Sequence, residues 1–164
     1  MTHTSRRYDF HDKRSAYEQL AADLAALLAG ESDLIANAAN TAALLFEALP
    51  AINWAGFYFL RGEELVVGPF QGKPACVRIA PGRGVCGTAA ERRATVVVPD
   101  VHAFPGHIAC DSASRSEIVV PLLGAHGLLG VLDIDSPEPG RFDEEDARGI
   151  ERLAAVFLAA GPAS

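Results

Sequence analysis

The sequence predicts a single α+β domain, residues 1–164, with a mainly antiparallel central sheet flanked by N- and C-terminal helices. Three observations support this class. The chain of 164 residues is long enough for one domain with a sizeable core. Helical periodicity occupies both ends of the chain, while short β-like runs fill its middle. Hairpin-like links join these runs, and strands joined by hairpins pair in an antiparallel sense.

Two helices are predicted near the N-terminus, over about residues 15–49. Apolar residues recur at helical spacing from 15 to 29, and Gly30 ends this first pattern. Ser32 is a suitable N-cap for the second helix, which Pro50 ends. Both helices are rich in alanine, so we expect them to serve as packing elements.

The middle of the chain, about residues 53–136, is predicted to contain the sheet and the loops of the functional site. Arg61-Gly62-Glu63 gives a hairpin signal between the first two strands. The predicted order is strands at 54–60, 64–70 and 75–79, a short helix at 85–94, a strand at 95–98, a long loop to residue 116 and two further strands up to residue 136. Long ordered loops in compact domains are often functional.

A last helix is predicted over about residues 143–160. Asp143 is a good N-cap, and Asp146 lies at the third helical position. The apolar stripe that we expect to be buried consists of Ala147, Ile150, Leu153, Ala154, Phe157 and Leu158. This helix completes the flanking layer that the α+β class requires.

Three acidic residues interrupt the two strands that precede this helix. Glu117 lies at the start of the first strand, and Asp133 and Asp135 share one face near the end of the second. A three-residue loop, 125–127, would pair Glu117 with Asp135, whereas a two-residue loop would put Glu117 on the opposite face. We predict the three-residue loop, because Gly127 suits the left-handed position that ends such loops.

Three carboxylates in an otherwise apolar pair of strands must be compensated. Either one keeps a proton near neutral pH, or a cation lies among them. Ca²⁺ or Mg²⁺ would suit the oxygen atoms, but no loop with metal-ligand spacing accompanies them, so we expect no metal and regard a ligand ammonium as the simpler cation. The alternative is that these acids lie at the surface or the sheet edge and bond to neighbouring loops.

The chain has three cysteines, Cys76, Cys86 and Cys110. An odd number fits poorly with a secreted disulfide framework, and in a reducing cytoplasm a disulfide would be catalytic or sensing. The simplest alternative is three small buried hydrophobic residues. Cys110, in a polar loop shortly before the acids, is our candidate for the working thiol.

Other cysteine chemistries have weaker signals. No C-x-x-C pair is present, which disfavours a zinc knuckle and a thioredoxin-type motif. A zinc site built from the three cysteines and His107 stays open, and a cysteine protease would need a histidine and an Asn or Asp around Cys110. The glycine-rich run 82–87 lacks the Lys-Ser/Thr ending of a phosphate loop.

Trp54 and Tyr58 lie four residues apart on one face of the first strand. They either pack in the core or form an aromatic wall against a small apolar group of a ligand.

The charge and hydropathy of the chain exclude several partners. The net charge is −7 without a basic stripe, which argues against nucleic acid. No apolar run is long enough to span a membrane. The polar N-terminus has no apolar segment behind its arginines, so we expect no secretory signal and a cytoplasmic location.

Taken together, the segments NWAGFYF, GPFQGKPACVRI, GRGVCGTAAE, DVHAFPGHIACDSASRSEIVVPL and GVLDIDS resemble the free methionine-(R)-sulfoxide reductases, which have a GAF fold. The similarity runs from about Asn53 to Phe142, and the cysteines and acids fall at the spacing of that family. The resemblance implies a GAF-like domain that reduces free L-methionine (R)-sulfoxide to methionine. It also implies thioredoxin as the external reductant, no bound cofactor, and a homodimer.

The resemblance implies roles for individual residues. Cys110 resembles the nucleophile that attacks the sulfoxide sulfur, Cys76 the resolving cysteine, and Cys86 a second or relay thiol. The residues that resemble the substrate-binding set are Trp54, Tyr58, Glu117, Asp133 and Asp135. Which acid protonates the oxygen, and whether Cys76 or Cys86 is the main resolving thiol, stays open at this point.

The residue types suit this reaction. A carboxyl with a raised pKa can deliver a proton to the departing oxygen while a thiolate attacks the sulfur. The resulting sulfenic acid condenses with a second thiol, and an external dithiol reduces the disulfide. The alternative is a non-catalytic GAF sensor that binds a small ligand or acts as a thiol redox switch. Three cysteines together with three acids favour the enzyme.

Overall fold

The fold is known from a computed structural model that describes residues 7–107 and 113–162. In these residues a six-stranded antiparallel sheet has the order β3-β2-β1-β6-β5-β4. The elements in chain order are α1 (Lys13–Leu28), α2 (Leu34–Ala48), β1 (Trp54–Arg61), β2 (Glu64–Gly72), β3 (Arg78–Ile79), α3 (Gly84–Arg92), β4 (Val96–Val98), a 3₁₀ turn (Val101–Ala103), β5 (Ser116–Gly124), β6 (Gly127–Ser136) and α4 (Glu144–Ala160). The predicted α+β class is confirmed.

Two predicted boundaries are wrong for identifiable reasons. The N-cap of α2 is Asp33 rather than Ser32, because the Asp33 carboxylate accepts the Ala36 N–H at 2.8 Å. The strand predicted at 75–79 is reduced to Arg78–Ile79. The carbonyl of Cys76 accepts a hydrogen bond from the Tyr58 hydroxyl at 3.1 Å, so this segment turns over the sheet instead of extending the strand.

The two faces of the sheet are covered differently. Helices α1, α2 and α4 cover one face, where the fully buried Phe57, Ile118 and Leu132 meet Leu24 and Leu153. Helix α3 covers the other face and contributes Val85, Cys86 and Ala89 to a smaller cluster with Tyr58, Val119 and Val131. Because strand side chains alternate, every second residue of β1, β5 and β6 lies under α3.

A buried carboxylate joins the two ends of the chain. Asp146 is 0% exposed and accepts hydrogen bonds from the Tyr17 hydroxyl and the Lys13 ammonium, both at 2.7 Å. The Arg141 guanidinium lies 3.2 Å from Oδ1 of Asp146, the oxygen that also accepts from Tyr17. Asp143 and Asp146 form a reciprocal capping box, as the sequence predicts for the start of α4. Four of the six stripe residues are buried, and Ala147 and Leu158 are partly buried.

The β5–β6 hairpin differs from the prediction in its loop and agrees with it at the site. Gly124 pairs with Gly127, so the loop has two residues and the predicted three-residue loop is wrong. The pairing then shifts by one, since Leu123 pairs with Leu128 but Leu122 pairs with Gly130. This β-bulge restores the register that brings Glu117 opposite Asp135.

The described helices include none that is both long and apolar enough to cross a bilayer.

Candidate active site

The sheet register gathers the predicted acids beneath α3. Glu117 on β5 pairs with Asp135 on β6, which in turn pairs with Trp54 on β1. Asp133 lies on the same face two residues before Asp135, where it pairs with Gly56, and Cys86 of α3 faces it. The described residues that line the resulting cavity are Trp54, Tyr58, Lys73, Pro74, Ala75, Ile79, Gly84, Val85, Cys86, His107, Ser114, Glu117, Asp133 and Asp135.

Three of these side chains form a tight buried cluster. One polar atom each from Cys86, Glu117 and Asp133 lies within 4.8 Å of the other two. Their exposed fractions are 4%, 8% and 5%, whereas Asp135 is partly exposed. The alternative of surface acids is therefore wrong for Glu117 and Asp133. By spacing alone the cluster could also hold a metal ion through one sulfur and two oxygen atoms.

Burial controls the protonation of the cluster. Desolvation, and then the charge of Asp133, raises the pKa of Glu117 well above its ordinary value. Desolvation and the charge of Asp135 do the same to the pKa of Asp133. Desolvation, and then the charges of Asp133, Glu117 and Asp135, raise the pKa of the Cys86 thiol, which hydrogen-bonds to Asp133. Because the charged forms are all disfavoured, the cluster retains protons at pH values where exposed carboxyls have lost them.

One oxygen in the cluster lacks a hydrogen-bond partner. The Oδ1 atom of Asp133 is fully buried and receives no hydrogen bond from any described residue. An unpaired buried acceptor costs free energy, so such atoms are typical of sites that complete their bonding with a ligand. Within the cavity this oxygen is a position for a donor such as an ammonium or hydroxyl group.

An aromatic stack forms one wall of the cavity. The Trp54 ring stacks on Phe70, with centroids 5.0 Å apart, and on Tyr58, with centroids 5.9 Å apart. Gly56 makes this possible, since a Cβ there would lie 2.9 Å from the Trp54 ring and 2.2 Å from the Phe70 Cβ. Trp54 and Tyr58 are 3% and 2% exposed, so they belong both to the core and to the cavity wall.

The aromatic wall also holds the segment that carries Cys76. The Trp54 indole N–H donates to the Lys73 carbonyl at 3.1 Å, and the Tyr58 hydroxyl donates to the Cys76 carbonyl at 3.1 Å. These two bonds fix the segment above the cavity, because both donors sit on a central strand of the sheet.

The predicted cysteines differ in state. Cys76 is disulfide-bonded and partly buried, and Cys86 is a free, buried thiol. The position predicted for the nucleophile, Cys110, lies outside the described residues. A disulfide-bonded Cys76 supplies no thiolate to a metal, which disfavours the zinc site built from all three cysteines and His107.

Sequence reasoning missed some of the cavity lining. Lys73 precedes Cys76 by three residues and reaches the cavity rim, and Ser114 accepts a hydrogen bond from the Asn53 amide at 3.2 Å. His107, considered from the sequence as a zinc ligand, also lines the cavity, and burial together with nearby His102 lowers its pKa. Because Lys73 lies only three residues before Cys76, the sequence could have indicated that it lines the cavity. The contribution of Ser114 depends on long-range packing, which the sequence does not show.

The architecture of a curled antiparallel sheet between helices defines a GAF domain, and the GAF domain family model matches residues 14–160. Relatives refine this class. A free methionine-R-sulfoxide reductase from Escherichia coli (strain K12) is 56% identical over 144 residues, which are 88% of this chain and 87% of that protein. The chain belongs to the free methionine-(R)-sulfoxide reductase family of GAF domains. The enzyme class predicted from the sequence is confirmed at this level.

Solved structures agree with the assignment. The X-ray structure of free methionine-R-sulfoxide reductase from Neisseria meningitidis, in complex with its substrate, is 46% identical with a TM-score of 0.88, covering 98% of this chain and 94% of that one. A crystal structure from Burkholderia vietnamiensis, provisionally named a GAF sensor protein, is 62% identical with a TM-score of 0.89 and covers 92% and 96% of the two chains.

Proposed function

We propose that this chain reduces free L-methionine (R)-sulfoxide to L-methionine in the cavity beneath α3. The observation that carries the proposal is the buried cluster of Glu117, Asp133 and Cys86, which keeps protons beside an aromatic wall. Sulfoxide reduction needs a proton for the departing oxygen, and carboxyls with raised pKa values are suitable donors. The family assignment and the substrate complex of a relative support the same reaction.

The acids would divide two tasks between them. Glu117 and Asp133 are the more deeply buried, so we assign to them the proton for the sulfoxide oxygen. Asp135 is partly exposed at the cavity rim, so as a carboxylate it is the better partner for the α-ammonium of the substrate. Trp54 and Tyr58 would contact the apolar end of the substrate. A methionine sulfoxide inside a peptide has no α-ammonium for Asp135.

The cysteines would carry the electrons. The thiolate of Cys110 attacks the sulfoxide sulfur, and the oxygen is transferred to Cys110 as a sulfenic acid while methionine is released. The Cys76 thiol then condenses with the sulfenic acid, which expels water and forms a disulfide. The disulfide-bonded state of Cys76 supports this choice of resolving thiol. Cys86 suits it less, because burial and three acids disfavour its thiolate.

An external dithiol must reduce this disulfide, and we propose thioredoxin. The chain would then act in the cytoplasm, a compartment that keeps thiols reduced. No other cofactor is needed for the two-electron balance.

We also propose a homodimer, from the family resemblance and from two exposed apolar side chains of α2, Ile35 at 53% and Phe46 at 38%. They are 11 residues apart and so share one helix face. A monomer in light scattering at assay concentration would contradict it.

The proposal is tested with racemic free methionine sulfoxide, a thioredoxin system and chiral separation of the products. We expect the R epimer to be consumed and the S epimer to remain. We expect Cys110→Ser to abolish consumption, and Cys86→Ser, the matched control, to retain a first turnover. Appreciable turnover by Cys110→Ser would remove that residue from the nucleophile role. Ligand binding by the wild-type chain without any turnover would instead favour a GAF sensor.

A further inference from the structure

We propose that the exposed segment at Cys76 and Val77 is the surface on which the dithiol reductant docks. The inference rests on the proposed function, because it requires a disulfide at Cys76 that thioredoxin reduces. It adds a location and a contact residue, which follow from the exposure, backbone bonding and charge of this segment.

The exposure of Val77 is the first observation. At 59% it is the most exposed large apolar side chain among the described residues. A single exposed apolar side chain is ordinary on a protein surface, but this one directly follows the disulfide-bonded Cys76. Cys86 is 4% exposed and lies on the buried face of α3, out of reach of a protein reductant. Cys76 is partly exposed, so it is the more accessible of these two cysteines.

The second observation is that the backbone holds this segment at an open edge. β3 is the edge strand of the described sheet, and the Val77 carbonyl accepts the Val67 N–H at 2.9 Å just before that strand. The Tyr58 hydroxyl fixes the carbonyl of Cys76 from the other direction. A partner can therefore approach without displacing a strand, and the segment loses little further freedom when it binds.

Charge around the segment is the third observation. Lys73 is exposed, and the Arg78 side chain is 60% exposed with Glu64 3.5 Å away. Because Glu64 offsets the charge of Arg78, Lys73 supplies the net positive charge of this rim, on a chain of net charge −7. Positive charge favours the thiolate form of an attacking thiol. In addition, an apolar centre with a charged rim is typical of a protein interface.

The redox step sets how close the contact must be. A thiolate of the reductant attacks Sγ of Cys76, the disulfide breaks, and the sulfur released from Cys76 takes up a proton as a thiol. The second thiol of the reductant then attacks the reductant sulfur of the mixed disulfide. This closes a disulfide within the reductant and releases Cys76 as a thiol. Two electrons and two protons pass to the chain. Adjacent Cα atoms are about 3.8 Å apart, so Val77 lies within reach of a protein that attacks Cys76.

The test compares two reductants on the same variants. Thioredoxin, regenerated by its reductase and NADPH, needs the docking surface, whereas dithiothreitol is too small to need it. Val77→Asp and the milder Val77→Ser are measured beside Val97→Asp, a valine that is 36% exposed on β4 at the opposite edge of the sheet. The readout is the ratio of the thioredoxin-supported kcat/KM to the dithiothreitol-supported rate, which cancels any common loss of folding or chemistry.

We expect this ratio to fall roughly tenfold or more for Val77→Asp, the size typical of removing an interface anchor, less for Val77→Ser, and not for Val97→Asp. A ratio for Val77→Asp equal to that of wild type or of Val97→Asp would overturn the proposal. Absence of turnover by the wild-type chain with dithiothreitol would refute the proposed function, and this inference with it.

Discussion

Asp133→Asn is expected to make the protein more stable and less active at the same time. The side chain is 5% exposed, its pKa is raised by burial and by Asp135, and its Oδ1 atom has no hydrogen-bond partner among residues 7–107 and 113–162. An asparagine has the same shape, keeps an acceptor at one position and adds a donor that can face the oxygens of Glu117 or Asp135. The substitution therefore removes a disfavoured buried charge without leaving a cavity.

The pH dependence gives the sign of the effect. In the unfolded chain Asp133 titrates near its ordinary pKa of 3.8, and in the folded chain it titrates well above that. Between these two values the folded state holds the extra proton, so wild-type stability falls as the pH rises through this window. The stability of the asparagine variant does not fall for this reason, because asparagine does not titrate. Its stability advantage over wild type should be small near pH 4 and should grow as the pH rises.

The magnitude follows from the mechanism. Stabilising replacements at functional positions commonly contribute about 0.5–2 kcal/mol, and we expect about 1–2 kcal/mol at pH 8 for a carboxyl this deeply buried. For a chain of this size that corresponds to a rise in Tm of roughly 2–8 °C. Loss of a proton donor should lower the rate of sulfoxide reduction by about 10²-fold or more.

Urea unfolding of wild type and variant at pH 5 and pH 8 measures the effect, with Glu63→Gln in the exposed β1–β2 turn as the control. The control should change stability by less than about 0.5 kcal/mol at both pH values. Two results would refute the assignment of Asp133 as a buried acid whose ionisation destabilises the fold. One is an Asp133→Asn variant that is less stable than wild type at pH 8, and the other is a stability difference that shrinks as the pH rises.

Two further predictions concern the core and the thiols. Asp146→Ala should lower the free energy of unfolding in urea by about 3–5 kcal/mol, because it leaves the nearly buried Arg141 without its carboxylate. Glu144→Ala, on the exposed first turn of α4, is the control and should cost far less. Similar losses for the two variants would contradict the buried network. Cys76→Ser should yield one equivalent of methionine per chain and then stop, as counted by single-turnover product analysis with thioredoxin present. Normal recycling of this variant would assign the resolving role to Cys86.

The sequence predicted the meeting of the acids correctly through an incorrect loop. Alternation along the strands placed Asp133 and Asp135 together, and the pairing of Glu117 with Asp135 is observed. The bulge that produces this register involves Leu129, a residue type that suits a regular strand as well as a bulge, so no local pattern predicts it. A partial signal was Gly130, where a Cβ would lie 2.1 Å from the Tyr58 carbonyl oxygen.

Other parts of the site depend on contacts between distant segments. The stacking of Phe70 on Trp54 requires the β1–β2 register and a glycine at position 56, and no local pattern encodes that contact. The buried environment of Cys86 follows from the docking of α3 over the acids, which periodicity alone does not give. Helix starts were easier to predict, because caps such as Asp143 act within a few residues of sequence.

The most direct measurement compares free L-methionine (R)-sulfoxide with its N-acetyl derivative, using dithiothreitol as reductant. Acetylation replaces the α-ammonium by a neutral amide and leaves the sulfoxide unchanged, so the comparison tests for the cation that the acidic cavity is proposed to hold. We predict rapid reduction of the free amino acid and a kcat/KM at least about 10²-fold lower for the blocked one, the scale seen when a buried charged group loses its partner. Equal rates for the two would contradict the account.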